Sequence, residues 1–200
     1  MSLFDIQRVT VGPKTMVARV RLANGAPVKT SEDLEGTSRV YHLMPQIADH
    51  ACVCDKGDQL RDSMGDTELA HLLEHVALEF LARLGVQDIS VGRTIDTNVD
   101  RTWDIELTCP DDAMTLGALS SAAWLLEWAY SGGADPAPDV ENIVEGLRAL
   151  VKSLPADGSI PAPAAGDAPA PTDDAPADAS SAPADAEADA PTTSRAPAAK

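Results

Sequence analysis

The amino-acid sequence predicts an α+β domain: a small, mainly antiparallel sheet packed with about four helices, followed by a disordered tail rich in Ala, Pro and Asp. Three observations predict it. Short β-branched runs come in two pairs, runs with helical period fall between and after them in the order ββααββαα, and the composition changes abruptly near residue 155.

Residues 3–10 and 15–22 are short, β-branched and partly alternating, with Gly12-Pro13 between them, which reads as a hairpin. Asn24-Gly25 then turns the chain. Residues 31–49 carry a weaker helical pattern through Val40, Leu43, Met44 and Ile47, and Pro45 either kinks that helix or marks its end. From 52 to 66 the Asp, Lys and Gly content reads as a polar loop. Asp66 or Thr67 is a good N-cap for the next helix, and Gly85, just past Leu84, is a good stop. Residues 86–93 and 101–108 read as strands joined through Asp96, Asn98 and Asp100. In the second, Trp103, Ile105 and Leu107 alternate with Asp104 and Glu106, so one face packs and the acidic face is left to point at the preceding helix. Pro110-Asp111-Asp112 opens a helix over 113–130, rich in Ala, Leu and Trp and expected to be buried, which Ser131-Gly132-Gly133 ends. A last helix over 138–154 places Val140, Ile143, Val144, Leu147, Leu150 and Val151 at helical spacing. The chain shows no internal repeat.

Composition divides the 200 residues unevenly, since nine of the fifteen prolines lie at or beyond Pro155, where large apolar residues are almost absent. Such a segment cannot bury enough surface to offset chain entropy, so the expected organisation is a folded domain over 1–154 and a disordered tail over 155–200. The net charge is −17, of which the tail, with eight acids against Arg195 and Lys200, carries −6 and residues 1–154 carry −11. An acidic body repels phosphates and argues against nucleic acid as a partner, favouring cationic or zwitterionic ligands instead. Cys52, Cys54 and Cys109 do not build a disulfide framework, and Cys52-Val53-Cys54 is too tightly spaced for a C-x-x-C knuckle, so these read as buried or incidental thiols. The first residues lack a basic region followed by an apolar run, and no stretch of 18 apolar residues occurs. A cytoplasmic protein with no membrane partner is expected; its oligomeric state is left open.

The run His71-Leu72-Leu73-Glu74-His75 carries the chemistry. Two imidazoles four residues apart on a helix lie over the same turn and can close on one metal ion, with zinc–nitrogen bonds of about 2.0–2.1 Å. Glu74 shares that side of the helix, where a carboxylate can take the proton of a metal-bound water whose pKa has fallen to about 7. The order H-x-x-E-H is the inverzincin signature, the reverse of H-E-x-x-H. On a helical projection Leu69, Leu73, Val76, Phe80 and Leu84 form a core stripe opposite His71, His75, Glu68 and Glu79. An ordinary amphipathic helix with a wet polar face has that pattern too, but Leu78 and Ala82 add apolar wall to the polar side, as a pocket floor would.

Read more widely, the stretch from His71 to Thr94 resembles the N-terminal domain of cyanophycin synthetase, in the helix from His71 to Glu79, in Gly92-Arg93-Thr94 and in Ile105-Glu106-Leu107. Upstream, Leu43-Met44-Pro45 and His50-Ala51-Cys52 are similar to the family's L-P and H-x-C elements, so the likeness spans about residues 40–130. The resemblance implies a metallopeptidase-like centre with His71 and His75 as ligands and Glu74 as base. In that family the domain cuts or binds a polymer with an Asp backbone bearing Arg on its side chains. The synthetase's ATP-grasp and Mur-ligase-like parts have no counterpart in this sequence, so no polymerising activity is implied. Ala70 stands in place of a glycine and Phe80-Leu81 in place of Leu-Gln, which leaves the ligands intact.

For the third ligand, Glu106 on the polar face of its strand is the first choice and Glu127 the reserve. Glu79 lies roughly 12 Å along the helix axis from His71 and suits an outer acceptor for a histidine N–H. Arg93 is a candidate contact for a substrate carboxylate. Three readings follow in order: a zinc-dependent hydrolase of amide bonds in Arg- or Asp-rich peptides or a cyanophycin-like polyamide, a non-catalytic module that binds a polymer or partner, and a metal-stabilised structural domain.

Overall fold

A computed structural model of the chain describes residues 2–54, 56–87 and 92–154. The expected tail, residues 155–200, lies outside the described residues, as do the Cys54 side chain and positions 88–91 of the expected third strand. All the described residues belong to one compact unit, Met1–Pro161.

Four antiparallel strands form the main sheet in the order β1-β2-β6-β5: β1 Phe4–Val11, β2 Thr15–Leu22, β5 Gly92–Val99 and β6 Thr102–Thr108. The first hairpin forms as its alternation predicts, with Gly12 N–H donating to the Thr15 carbonyl at the turn. In the β2–β6 ladder Met16 lies opposite Leu107, Ala18 opposite Ile105 and Val20 opposite Trp103. These side chains form the inner face, and α3 (Leu69–Arg83) and α4 (Asp112–Tyr130) pack on it with Leu72, Val76, Phe80, Leu119, Ala122 and Leu126. Asp104 and Glu106 therefore stand on the outer face, where Asp104 pairs with Arg19 at 2.8 Å. The acidic face of β6 points away from α3, contrary to expectation, because it is the apolar face that the helices cover.

Helix α1 spans Leu34–Leu43, capped by the Asp33 carboxylate on Gly36 N–H. Pro45 ends it and begins a 3-10 turn, Pro45–Asp49, a role that suits a residue with no N–H to donate. Helix α5 covers Val140–Ser153, with Asp139 capping Asn142 N–H. Three expectations fail here. The polar stretch after residue 50 is not a plain loop: it holds β3 Ala51–Cys54, β4 Gly57–Gln59 and the short helix α2 Leu60–Ser63, the two strands forming their own two-stranded sheet. And α4 is not buried all round, since Trp124 is 53% exposed and Leu116 41%. The turn before β6 is tighter than expected, for β5 runs on to Val99 and Arg101 supplies the left-handed residue at φ 56°. Among the described residues no helix is long and apolar enough to cross a membrane.

Candidate metal centre

Helix α3 begins at Leu69 and makes no side-chain cap, because Thr67, an expected cap, has its hydroxyl 2.8 Å from His71 Nδ1 instead. Gly85, at φ +99°, stops the chain just beyond Leu84. Twelve of the fifteen residues of α3 are buried, among them Glu74, His75 and Glu79, so the polar side is not a wet face but an interior one. A helix apolar all round is held in a core, and its few polar groups must find partners there.

They find them in and behind a cavity of about 840 Å³. Glu68, His71, Glu74, His75 and Leu78 of α3 form its floor, His50, Ala51 and Cys52 one wall, and Gly92, Arg93, Thr94 and Asp96 of β5 the other, with Trp103 also in the lining. Cys52 Sγ lies 3.5 Å from His71 Nε2, His71 Nε2 lies 3.1 Å from His75 Nε2, and the three ligand atoms are all within 4.8 Å of one another. Tetrahedral ligands on a zinc ion at 2.0–2.3 Å stand about 3.3–3.8 Å apart. One thiol and two imidazoles suit a small divalent ion of borderline softness, and two of the separations already lie close to that span.

Behind this cluster a chain of contacts runs through the core. His75 Nδ1 is 3.4 Å from His50 Nδ1, His50 Nε2 is 3.0 Å from Glu79 Oε2, and Arg83 Nε donates to Glu79 Oε1 at 2.8 Å. The His75 ring centroid lies 4.8 Å from that of His71 and 5.6 Å from that of His50. Burial, aided by the neighbouring His71 and His50, pushes His75 down to about 3, and burial likewise lowers His71 against the pull of Glu68. Neutral imidazoles with available lone pairs are what metal binding requires. Burial works to raise Glu79, yet the hydrogen bonds from His50 and Arg83 hold it below the usual carboxylate range.

Glu74 has a different environment. Burial lifts its carboxyl to about 7, partly offset by the Thr94 hydroxyl, which donates to Oε2 at 2.6 Å. Gly92 allows the close approach of β5: a Cβ there would lie 2.5 Å from Glu74 Oε1 and from Leu78 Cδ1. The Gly-Arg-Thr run thus shapes the site by packing and by one hydroxyl. Arg93, the candidate substrate contact, is exposed in the cavity wall, opposite Glu106 in the β5–β6 ladder.

The expected third ligand needs correcting. Glu106 is on the outer face of β6, across the sheet from α3, and does not meet the imidazoles. Glu127 accepts from the Ser2 hydroxyl at 3.1 Å on α4 and is not in the cavity lining. Cys52 stands beside the two imidazoles instead, with His50 behind it. The signal for both was the H-x-C spacing: His50, the extended residue that closes the 3-10 turn, lies two positions before Cys52 of β3, and residues two apart in extended chain share a face, so both line the cavity beside α3.

An α+β domain with a cysteine and two helical histidines gathered at a cavity floor, and a carboxyl beside them, is the class that this geometry defines. Residues 18–129 match the cyanophycin synthase-like N-terminal domain, and the chain belongs to that family. The match begins well before residue 40, taking in β2 and α1 as well as the motif elements. No match is found among curated proteins.

Proposed function

We propose that the domain is a metal-dependent hydrolase of amide bonds in peptides or in a cyanophycin-like polyamide, acting in the cytoplasm. The observation that carries this reading is the convergence of Cys52 Sγ, His71 Nε2 and His75 Nε2 in the same cavity as a Glu74 carboxyl shifted to about 7. Zinc held by the three side chains would supply Lewis acidity and lower the pKa of water to about 7. Cys52 binds as the thiolate, so the ligand set brings one negative charge and two neutral imidazoles. Glu74 is the proton acceptor: Thr94 occupies Oε2 and leaves Oε1 to take a proton from water. A base with a pKa close to the working pH both accepts that proton and returns it to the departing amine. Leu78 and Trp103 give the cavity an apolar lining that limits bulk water around the reacting groups.

A second reading, a non-catalytic module that binds a basic polymer, is supported by Glu68 and Asp96 in the lining, where among the described residues Arg93 is the one cationic side chain. Metal analysis and a peptide-cleavage screen on the full chain separate the two. For a hydrolase, the purified protein holds one divalent ion, His71→Ala loses both ion and cleavage, and Glu74→Gln keeps the ion while cleavage falls about 10²–10⁴-fold. A wild-type protein that binds the peptides and cleaves none, with metal loaded, sinks the enzyme reading.

A further inference from the structure

The wall that β5 gives to the cavity is made by residues of both orientations. Gly92, Thr94 and Asp96 turn toward α3, while Arg93 lies opposite Glu106 and so shares the outer face, yet all four line the same space. A strand lines a cavity with both parities only where its edge, rather than one face, borders it. Gly92 has no side chain, so its contribution is backbone. One edge of β5 is taken up by β6, and among the described residues β5 is the last strand of the sheet, which makes the edge beside the cavity the one that β6 does not use.

We infer that this free edge of β5 is the cradle for an extended peptide backbone, which adds to the sheet as a further strand and lies across Glu74. The inference rests on the amide-hydrolase reading for the nature of the guest, and on the strand for its placement. The ladder from Gly92 to Asp96 runs in regular register with β6, and its first irregularity comes only between Asp96 and Val99, where Asn98 adopts φ 58°. That regular length, about 3.4 Å per residue, matches a guest segment of about five residues. The other strand at the cavity, β3, is a poorer template, because its ladder with β4 is already broken between Ala51 and Cys54. Position also favours β5: Thr94 touches the Glu74 carboxyl directly and Gly92 packs against it, so a backbone paired there passes the proton acceptor. Main-chain pairing provides affinity without regard to sequence, while alternate guest side chains point into the cavity, where Glu68 and Asp96 suit basic ones.

The test uses the full-length Glu74→Gln protein and a blocked alternating alanine–lysine peptide of about eight residues, long enough to span the ladder. Hydrogen exchange of amides within residues 92–96 is expected to slow about tenfold on binding. Methylating every second peptide nitrogen is expected to weaken binding about tenfold, and methylating the intervening ones to leave it unchanged. Protection confined to residues 51–54, methylation effects without a two-residue period, or no binding of this peptide at millimolar concentration would overturn the assignment. Cleavage by the metal-loaded wild type is read separately. Protection of β5 without cleavage supports the edge and removes the hydrolase reading, whereas cleavage without protection of β5 removes the edge alone.

Discussion

His50 donates from Nε2 to the Glu79 carboxylate at 3.0 Å, and this contact determines which nitrogen of His75 faces the ligand cluster with a lone pair. Glu79, kept ionised by Arg83, can only accept, so His50 carries a hydrogen on Nε2 and, as the neutral imidazole, presents a bare Nδ1. His75 must then donate from Nδ1, which leaves Nε2 unprotonated toward His71 and Cys52. Thr67, whose hydroxyl can donate or accept, serves either tautomer of His71.

Replacing Glu79 with Gln reverses the logic of that chain, since an amide nitrogen can donate to His50 and turn both rings to the wrong tautomer. Glu79→Gln is expected to weaken metal affinity about 10–100-fold with the fold retained. Competition against a chromophoric chelator reads the affinity, and ¹⁵N shifts of the histidines in metal-free protein read the tautomers. Unchanged tautomers and affinity would show that the chain of contacts does not orient His75.

Glu74 makes stability depend on pH in the metal-free protein. Its carboxyl titrates near 7 when folded and near 4.5 when unfolded, so as pH rises from 4.5 to about 7 the unfolded chain releases this proton first and stability is lost. The Glu74→Gln variant lacks that loss. Its denaturation midpoint is expected to gain on wild type over this window, by an amount on the order of 3 kcal/mol at most. His75 acts in the opposite sense, its contribution being present above 6.5 and lost as pH falls toward about 3, and it is common to both proteins. A wild type and variant that track each other from pH 4.5 to 8 would show that Glu74 is not held protonated.

At Gly92 an alanine methyl would meet Glu74 Oε1 and Leu78 Cδ1, both ends of side chains rather than backbone. The cheapest relief is to displace the carboxyl. Gly92→Ala is therefore expected to cost only about 1–2 kcal/mol of stability while lowering peptide cleavage about 100-fold, since small displacements of a reacting group carry large rate penalties. Thermal melts and cleavage rates measured side by side check this, and a loss of activity no greater than the loss of folded protein would count against it.

The correction at the third ligand position gives the sharpest contrast. Cys52→Ser is expected to lose metal at least about tenfold more readily, the hydroxyl being a poorer ligand than a thiolate, whereas Glu106→Gln on the outer face of β6 leaves metal content as in wild type. Metal content by elemental analysis after dialysis decides between them.

The hairpin, α3, α4 and α5 were legible because apolar period, caps and glycine stops agree over long segments. The short strands β3 and β4 were not, since four and three residues in a polar stretch carry too little pattern to stand out from a loop. Cys52 escaped for a related reason: compared with a C-x-x-C knuckle, Cys52-Val53-Cys54 looks wrong, while the spacing that matters is the one to His50, in the extended residue just before the strand. The alternation in β6 is visible in the sequence, but its orientation is set by what packs on the sheet. Since the residues buried under α3 must be Trp103, Ile105 and Leu107, the carboxylates between them could only face outward.

The ligand cluster draws on two parts of the molecule with unequal attachment. His71 and His75 sit on a helix that cannot shift without opening the core, but Cys52 and His50 come from a segment whose strand, among the described residues, pairs with one three-residue partner and no other. Small hairpins of that kind detach at a fraction of the cost of global unfolding. Peeling it back would part Cys52 and His50 from the two helical histidines while the rest of the domain stayed folded, so the lifetime of an ion held there would follow the fraying of a ribbon, and a crosslink pinning that ribbon to α2 would slow ion exchange without touching a single ligand.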